Sequence, residues 1–452
     1  MMSNRVITFE LLFMQKKADT AAIPKSRLSR FGKLSSLAGR VAGNMLAEGV
    51  SELVKGNRPK IKDLLLTPSN AMRVADQLAQ MRGAAMKVGQ MISMDAGDIL
   101  PAELTDLLAR LRSDAKSMPE KELSSLLGAQ WGEAWQKKFI QFPLQPIAAA
   151  SIGQVHKVIT GDLKRLAIKI QYPGIKQSIN SDVDNVSTLI KMSGLLPKGL
   201  DLKPLLSEAK KQLHDEADYA LEGRYLEQYA AVIENDDAFV MPVLDKEFSS
   251  DTILAMSFVD GTPIEQLVDA SQETRDHVMS QLMRLFFKEL FDFQLVQTDP
   301  NFANYQYDEE SQKIVLLDFG ATRIYTSQMA ESYRQLMQGA RNNEKQKIRQ
   351  AILDIGLIRQ DLPESVQQDI TDLAYMACEP LYAESPYDFA QSNLSSRLQH
   401  QGMQLGLDKQ YAHTPSANAI FLHRKLGGLF LLAIKLKAKV DMQSLFAPYN
   451  KA

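Results

Sequence analysis

Two short stretches constrain this chain more than any other feature: QTDPNFANY at 297–305 and VLLDFGATR at 315–323. The first sets Asp299 and Asn304 in an Asp-x4-Asn spacing. The second puts Asp318 at the head of an Asp-Phe-Gly triplet, after the apolar run 314–317. The interval between the two aspartates fits a short hairpin, which places both carboxylates at one mouth. Phosphoryl transfer needs an acceptor for the nucleophile's proton and oxygen ligands for Mg²⁺. A carboxylate, an amide oxygen and a second carboxylate supply those parts. An Asp-Phe-Gly triplet alone is a weak signal, but an ordinary surface turn does not bring the whole ordered set with a strand inside it.

The chain has 452 residues, room for about two or three domains or one large bilobal unit. With 45% hydrophobic and 23% charged residues it is an ordinary globular composition. A net charge of -2 gives no bias toward nucleic acid. Cys378 is the single cysteine, which excludes an intrachain disulfide and a cysteine-based zinc site. The six histidines show no paired-ligand spacing and read as surface or satisfied core residues. No run of ~18 apolar residues occurs, so no transmembrane helix is expected. The longest candidate, 426–434, is too short and is flanked by Lys425 and Lys435. Near the start, Glu10 interrupts the apolar stretch 6–14 and spoils it as a signal-peptide core. Between Thr20 and Ala47 the charged residues are all basic: Lys25, Arg27, Arg30, Lys33 and Arg40. This segment reads as transit-like or, the reading carried forward, as a basic amphipathic arm. Such an arm either lies on an anionic membrane surface or packs on its own domain.

Along the chain, Ala71, Val74, Leu78, Met81, Ala85 and Val88 recur at helical spacing and run into MKVGQMIS, which holds Lys87. Pro101 starts a second helix, with Glu103 and Asp106 near its positive end. Residues 142–171 read as a strand hairpin turning at Gly161-Asp162, with Lys169 in an Ala-Ile-Lys pattern on its second strand. One helix is expected over about 174–193 and another over about 204–233. On the second, Asp218 and Glu222 share a face, while Glu216 lies roughly 120° from Glu222, so carboxylates point in two directions. FVMPVL and TILAMSFV, within 238–260, read as strands that complete a small antiparallel sheet before an Asp260-Gly261 hinge. The remainder from Pro263 is mostly helical apart from the Asp299–Asp318 hairpin.

The order Asp, Asn, Asp-Phe-Gly matches the catalytic and metal-binding loops of protein-kinase-like folds. Those folds use a strand lysine, here Lys169, to hold the α- and β-phosphates of ATP. Where they place a Gly-rich turn over the phosphates, this chain has Ala148, Ala149, Ala150 and Ser151, with only Gly153 remaining. Alanine does not take positive φ as cheaply as glycine, so this loop is expected to be stiffer. Many kinases have His where Gln297 stands, and no Arg precedes Asp299. No Ala-Pro-Glu follows the Asp-Phe-Gly; the chain passes from Arg323 almost directly into a helix near Thr326, which leaves no peptide-positioning segment.

Taken in order, KVGQ at 87–90, AAASIGQVH at 148–156, AIKIQYPG at 167–174, EADYALE at 216–222, QTDPNFANY and LLDFGATR resemble the UbiB family of atypical kinases. The resemblance is to its coenzyme Q biosynthesis ATPase branch, found in mitochondria and bacteria, and runs from about Ile23 to the C-terminus. It implies an α+β, bilobal protein-kinase-like fold with an antiparallel-sheet N-lobe, a mostly helical C-lobe and a family-specific N-terminal helical extension. The corresponding division is a basic arm at 1–60, the extension at 61–141, the N-lobe at 142–262 and the C-lobe at 263–452. It further implies roles: Lys169 as the nucleotide lysine with Glu222 as its partner, and Glu216 with Asp218 as a Glu-x-Asp pair met by Lys87 from the extension. Asp299 becomes the catalytic-loop aspartate, with Asn304 and Asp318 on Mg²⁺ and Ala148 to Ser151 over the phosphates of ATP. The implied partners are a lipid or quinone precursor, an anionic membrane surface and other ubiquinone biosynthesis enzymes, with no nucleic acid. The implied location is the bacterial cytoplasm, peripheral to the inner membrane, with the mitochondrial matrix as the alternative. The function expected is an ATPase that binds Mg-ATP and supports ubiquinone biosynthesis at a membrane. The alternatives are a small-molecule kinase acting on a lipid or prenyl-phenol precursor and a nucleotide-gated lipid-binding scaffold.

Overall fold

The structure, a computed structural model, describes residues 117–150, 152–192, 203–407 and 415–450. The basic arm with Lys25 to Arg40, the helices expected over 71–112 with Lys87, and Ser151 lie outside the described residues. The chain divides into two compact units, 1–217 with 245–258 and 218–244 with 259–452.

The first unit holds α1 (Glu120–Trp131), β1 (Phe139–Gln141), β2 (Ala148–Ala149), β3 (Gly153–Thr160), β4 (Arg165–Gln171), α2 (Ile175–Met192) and α3 (Lys203–Glu216). The chain then leaves for α4 (Tyr219–Ile233) and β5 (Phe239–Val240) of the second unit and returns for β6 (Ile253–Ser257). The sheet runs β1-β3-β4-β6, with β2 on β3, and every pair is antiparallel. In β3, Gln154, His156, Val158 and Thr160 are buried while Val155, Lys157 and Ile159 are half-buried, the two-residue period of a strand with one covered face. Most of β4 is buried, as befits a central strand. Its core joins Leu123 and Leu127 of α1 to Val158, Leu166, Ile168 and Ile253 of the sheet. Aromatic rings close one side: Trp131 lies 5.4 Å from Phe139 and 5.6 Å from Phe248 between centroids, and Phe139 lies 5.0 Å from Phe248. His156 is a satisfied core histidine, bonded to Gln154 and to the Pro143 carbonyl at 2.8 Å each.

Two expectations are corrected at this level. The single helix over about 204–233 is two helices, α3 and α4. Asp218 breaks it: its backbone is non-helical and its side chain caps α4 by accepting from the Leu221 N–H at 3.0 Å. A short aspartate offers the backbone this alternative to a continuous helix. Gln171 Nε2 donates to the Ala217 carbonyl exposed at the break, at 3.0 Å. The face arithmetic for Glu216, Asp218 and Glu222 therefore does not apply. Nor does FVMPVL share a sheet with TILAMSFV. Its strand β5 pairs in parallel with the strand Lys313–Leu316 of the second unit, and only β6 joins β4. Pro242, which cannot donate to a ladder, follows closely after β5.

The second unit continues with β7 (Thr262–Pro263), α5 (Gln272–Phe287), a π-helical turn (Lys288–Phe293), β8 (Leu295–Gln297), β9 (Tyr305–Asp308), β10 (Lys313–Leu316) and β11 (Thr322–Ile324). Then come α6 (Ser327–Arg341), α7 (Lys345–Ile355), α8 (Glu364–Ala377), β12 (Tyr387–Asp388), α9 (Leu394–Leu407), α10 (Ala417–Lys435), β13 (Lys439–Val440) and α11 (Met442–Phe446). Its small sheets are β5-β10-β9-β7, β8-β11 and β12-β13. At Gly261 a Cβ would sit 2.9 Å from Gln306 Cβ, so only glycine lets the chain pass this close to β9.

Helix α10 corrects the expectation that the apolar run near the C-terminus is too short to cross a membrane. It has 19 residues and a mean hydropathy of 1.3, long and apolar enough by length and composition. Its buried residues include Phe421, Leu422, Lys425, Leu429 and Leu432 at helical spacing, and Lys425 is ion-paired inside the unit. That is the pattern of a core helix.

Both tryptophans of the chain, Trp131 and Trp135, belong to the aromatic cluster of the first unit, so tryptophan fluorescence follows the unfolding of that unit. Phe248→Ala is expected to destabilise it by about 3–5 kcal/mol, read as a lower denaturant midpoint. A change below about 1 kcal/mol would show that the cluster does not hold this sheet.

Candidate active site

In the first unit the alanine segment and the lysine are tied by register. Ala148 pairs with Val155, Val155 with Lys169, and Lys169 with Leu254, one row across four strands. Residues directly opposite in antiparallel strands share a face, so Ala148 and Lys169 do too. Ala148 is exposed and Lys169 is only 6% exposed. Ala148 and Ala149 are strand residues, and the Ala150 N–H donates to the Gly153 carbonyl at 2.9 Å to close the hairpin. Glu216, the last residue of α3, is in this unit, whereas Asp218 and Glu222 fall in the second. The expected partners Lys169 and Glu222 thus belong to different units.

In the second unit the chemistry of the two sequence stretches is gathered by backbone bonds. The β9-β10 hairpin is in register from Lys313 opposite Asp308 to Leu316 opposite Tyr305. At its open end, Asn304 stands just before β9 and Asp318 just beyond β10, and the Leu317 N–H donates to the Asn304 carbonyl at 2.8 Å. Asn301 caps the short turn Phe302–Asn304 through the Ala303 N–H, and Asp299 accepts from the Asn301 N–H at 3.3 Å. A second stitch joins the other ends of the same loops. Strands β8 and β11 pair Gln297 with Thr322, and the Thr298 N–H and hydroxyl both donate to the Ala321 carbonyl, at 3.2 and 2.6 Å. Asp299, Asn304 and Asp318 are therefore carried by two loops fastened to each other at both ends.

Asp318 has φ 58°, in the left-handed region, and its carboxylate accepts from the Gly320 N–H at 3.1 Å. Such local bonding is what lets aspartate tolerate this backbone. Helix α4 approaches the same turn. A Cβ on Gly320 would lie 3.3 Å from Asp318 Oδ1 and 3.3 Å from Glu222 Oε2, so both carboxylates face one glycine. Further along α4, the Tyr229 ring packs 5.0 Å from the Phe319 ring.

This arrangement fits Mg²⁺. The donors are hard oxygens: the Asp318 and Glu222 carboxylates crowd one point, and Asn304, on the loop bonded to that of Asp318, offers an amide oxygen. Among the described residues no three His, Cys, Asp or Glu side chains form a metal cluster. A carboxylate and an amide are the usual protein share of a Mg²⁺ shell that phosphate oxygens complete.

Below these loops lies a charged group that the sequence reading missed. Lys425 of α10 is 3% exposed and Glu289 of the π-helical turn is fully buried; Nζ lies 3.3 Å from Glu289 Oε2. Glu289 Oε1 accepts from the Tyr229 hydroxyl at 2.8 Å and from the Gln297 N–H at 3.0 Å. Lys425 also donates to Gln297 Oε1 at 3.1 Å and to the Tyr305 hydroxyl at 2.8 Å. Burial pushes the Glu289 carboxyl up, against the opposing pull of Lys425. Burial lowers the Lys425 ammonium, but Glu289 and Tyr305 more than offset it and hold it above the ordinary lysine value. Burial and then Glu289 drive the Tyr229 phenol well up, so it stays a donor. The sequence did carry a signal: the charged pairs Lys288-Glu289 and Arg424-Lys425 in the otherwise apolar stretches FFKELF and RKLGGLFLL, where charge is rarely buried unless paired.

Comparison with known proteins identifies the family. Residues 110–352 match the ABC1 atypical kinase-like domain. The chain is 36% identical to the mitochondrial atypical kinase COQ8 of Saccharomyces cerevisiae over 96% of its own length and 87% of that protein. It is 33% identical to the mitochondrial atypical kinase COQ8B of Rattus norvegicus over 94% of its length and 80% of that protein. A solved structure, the erythromycin complex of Rv3197 from Mycobacterium tuberculosis, matches with a TM-score of 0.59 at 22% identity, covering 90% of this chain and 100% of that one. That likeness shows a shared fold, the α+β kinase-like arrangement of an antiparallel-sheet lobe and a helix-rich lobe. By its matched domain and its long alignment to these relatives, the chain belongs to the ABC1, or UbiB, family of atypical kinase-like enzymes.

Proposed function

We propose that this enzyme binds Mg-ATP, hydrolyses it slowly and supports ubiquinone biosynthesis at a membrane. The observation that carries the reading is the double stitch that fixes Asp299, Asn304 and Asp318 on two mutually fastened loops. In this reading Asn304 and Asp318 hold Mg²⁺, which when bound neutralises charge on the phosphate oxygens. Asp299 orients the attacking hydroxyl or water and takes its proton. Lys169 holds the α- and β-phosphates beneath Ala148, Ala149, Ala150 and Ser151, with Glu222 orienting it. Glu216 and Asp218 receive Lys87, and that contact closes the pocket to protein substrates. The division into arm, extension and two lobes at 1–60, 61–141, 142–262 and 263–452 belongs to the same proposal.

The acceptor is water or a small molecule such as a lipid or prenyl-phenol precursor. The support for this is the connection after β11: α6 begins at Ser327, capped by Thr326, which leaves no length for a segment that positions a peptide. Membrane association is peripheral, through the basic arm and an anionic lipid surface, where other ubiquinone biosynthesis enzymes meet the protein. The names of the relatives place those proteins in mitochondria, which supports the matrix location; nothing in them supports the bacterial inner membrane.

The test is phosphate release from Mg-ATP, with and without liposomes and a phenolic quinone-precursor mimic, with mass spectrometry of the lipid to separate transfer from hydrolysis. Mg-dependent turnover without peptide phosphorylation is expected; no turnover and no nucleotide-dependent thermal shift would sink the reading. Asp318→Asn should keep the fold but lose the Mg-nucleotide stabilisation, which for the parent at a hundredfold excess over Kd is about 2.7 kcal/mol. Gly320→Ala pushes a methyl group between Asp318 and Glu222 and should weaken Mg-nucleotide binding about tenfold, ~1.4 kcal/mol. An unchanged thermal shift in either variant would remove that residue from the metal site.

A further inference from the structure

The buried Lys425 fixes the direction of a hydrogen-bond chain that ends at the Asp-Phe-Gly turn. Its ammonium donates to two acceptors, Gln297 Oε1 and the Tyr305 hydroxyl, and lies 3.3 Å from Glu289 Oε2 as an ion pair. An ammonium can only donate, so the carbonyl end of the Gln297 amide must face it. The NH₂ end then points the other way, and Nε2 donates to the Asp318 carbonyl at 3.2 Å. Meanwhile Glu289 holds the Gln297 backbone N–H at 3.0 Å. Gln297 is thus gripped at backbone and side chain by the two halves of one ion pair, two residues before Asp299. The same helix touches the loop again one turn on. At Gly428 a Cβ would sit 2.6 Å from Pro300 Cβ, so α10 lies against the residue that follows Asp299.

We propose that Lys425 is a positioning residue for phosphoryl transfer, coupling the catalytic loop to the Asp-Phe-Gly turn through Gln297; this rests on the functional reading above. The competing role for the pair is packing alone, holding α10 to the π-helical turn. The two roles differ in what they move. Packing alone changes the melting temperature and leaves each folded molecule as active as before. Positioning changes the order of both loops and the turnover of folded molecules.

The experiment uses the full chain. Lys425→Met leaves Glu289 buried and uncompensated, so the variant to read is Lys425→Met with Glu289→Gln, which removes both charges at nearly constant volume. Gln297→Met cuts the same chain while keeping the ion pair. Circular dichroism establishes folding, and amide hydrogen exchange without nucleotide reads peptides covering 297–304 and 317–322. Exchange in both peptides should rise. The kcat for Mg-ATP hydrolysis per folded molecule should fall about ten- to a hundredfold, with KM within about threefold of the parent. Adding Gln297→Met to the double variant should cause no further loss, since all three changes break one link. A folded double variant with the parent's kcat, unchanged exchange over 317–322, or effects that multiply would each overturn the proposal. If the parent itself turns over no ATP, the functional reading falls instead, and the exchange data still decide whether Lys425 couples the two loops.

Discussion

A carboxylate with no exposed surface must be compensated by donors and by charge, and Glu289 imposes that condition on the second unit. Its partners come from four elements: the Tyr229 hydroxyl from α4, the Gln297 N–H from β8, Lys425 from α10, and through Lys425 the Tyr305 hydroxyl from β9. A buried pair of this kind adds little net stability, because desolvation offsets much of the attraction. What it does impose is orientation. Three of those elements carry or flank the residues of the site: α4 brings Glu222, β8 leads into Asp299, and β9 follows Asn304. Hydrophobic packing would tolerate small rotations of these elements; a set of directed hydrogen bonds to one carboxylate does not.

The hairpin and its two aspartates could be read from the sequence because local rules decide them. Tyr305–Asp308 alternates, Ile314–Leu316 is a short apolar run, a polar turn lies between them, and the motif spacing leaves one way to close them. The Ala-Ile-Lys strand was legible for the same reason, since β4 needs only its apolar period and the turn before it. The break at Asp218 was not, because apolar residues continue at helical spacing on both sides of it. The decisive event is one side chain accepting from Leu221. The pairing of β5 was not legible either, since its partner β10 lies far along the chain and a two-residue strand has no period of its own. Lys425 and Glu289 lie in otherwise apolar stretches far apart in the chain, and nothing local says that they meet.

Two backbone distortions flank the same loops, and each is held by a different segment. The π-helical turn Lys288–Phe293 departs from the α-helical hydrogen-bond pattern at the residue that supplies Glu289. It ends at Gln294, in the left-handed region at φ 53°, whose carbonyl accepts from the Tyr325 N–H at 2.8 Å and whose side chain accepts from the Ser327 hydroxyl at 3.1 Å. Tyr325 in turn donates through its hydroxyl to the Asn418 carbonyl of α10 at 2.8 Å. On the far side, Asp318 at φ 58° is held by its own turn and by Gln297.

Strained backbone of this kind persists only where its surroundings over-determine it. Here the segment before β8 is held by residues after β11, and the turn before β11 is held by a residue of β8. Neither distortion is sustained by its own neighbours in sequence alone, so each loop takes its functional form with the other in place. That mutual dependence explains why the residues of the site lie on short irregular stretches, although helices on either side offered more rigid supports. A helix fixes its side chains from within. These loops are fixed from outside, by α10 and by the Glu289 cluster, and the geometry around Asp299 and Asp318 is therefore a property of the assembled unit and of no segment alone.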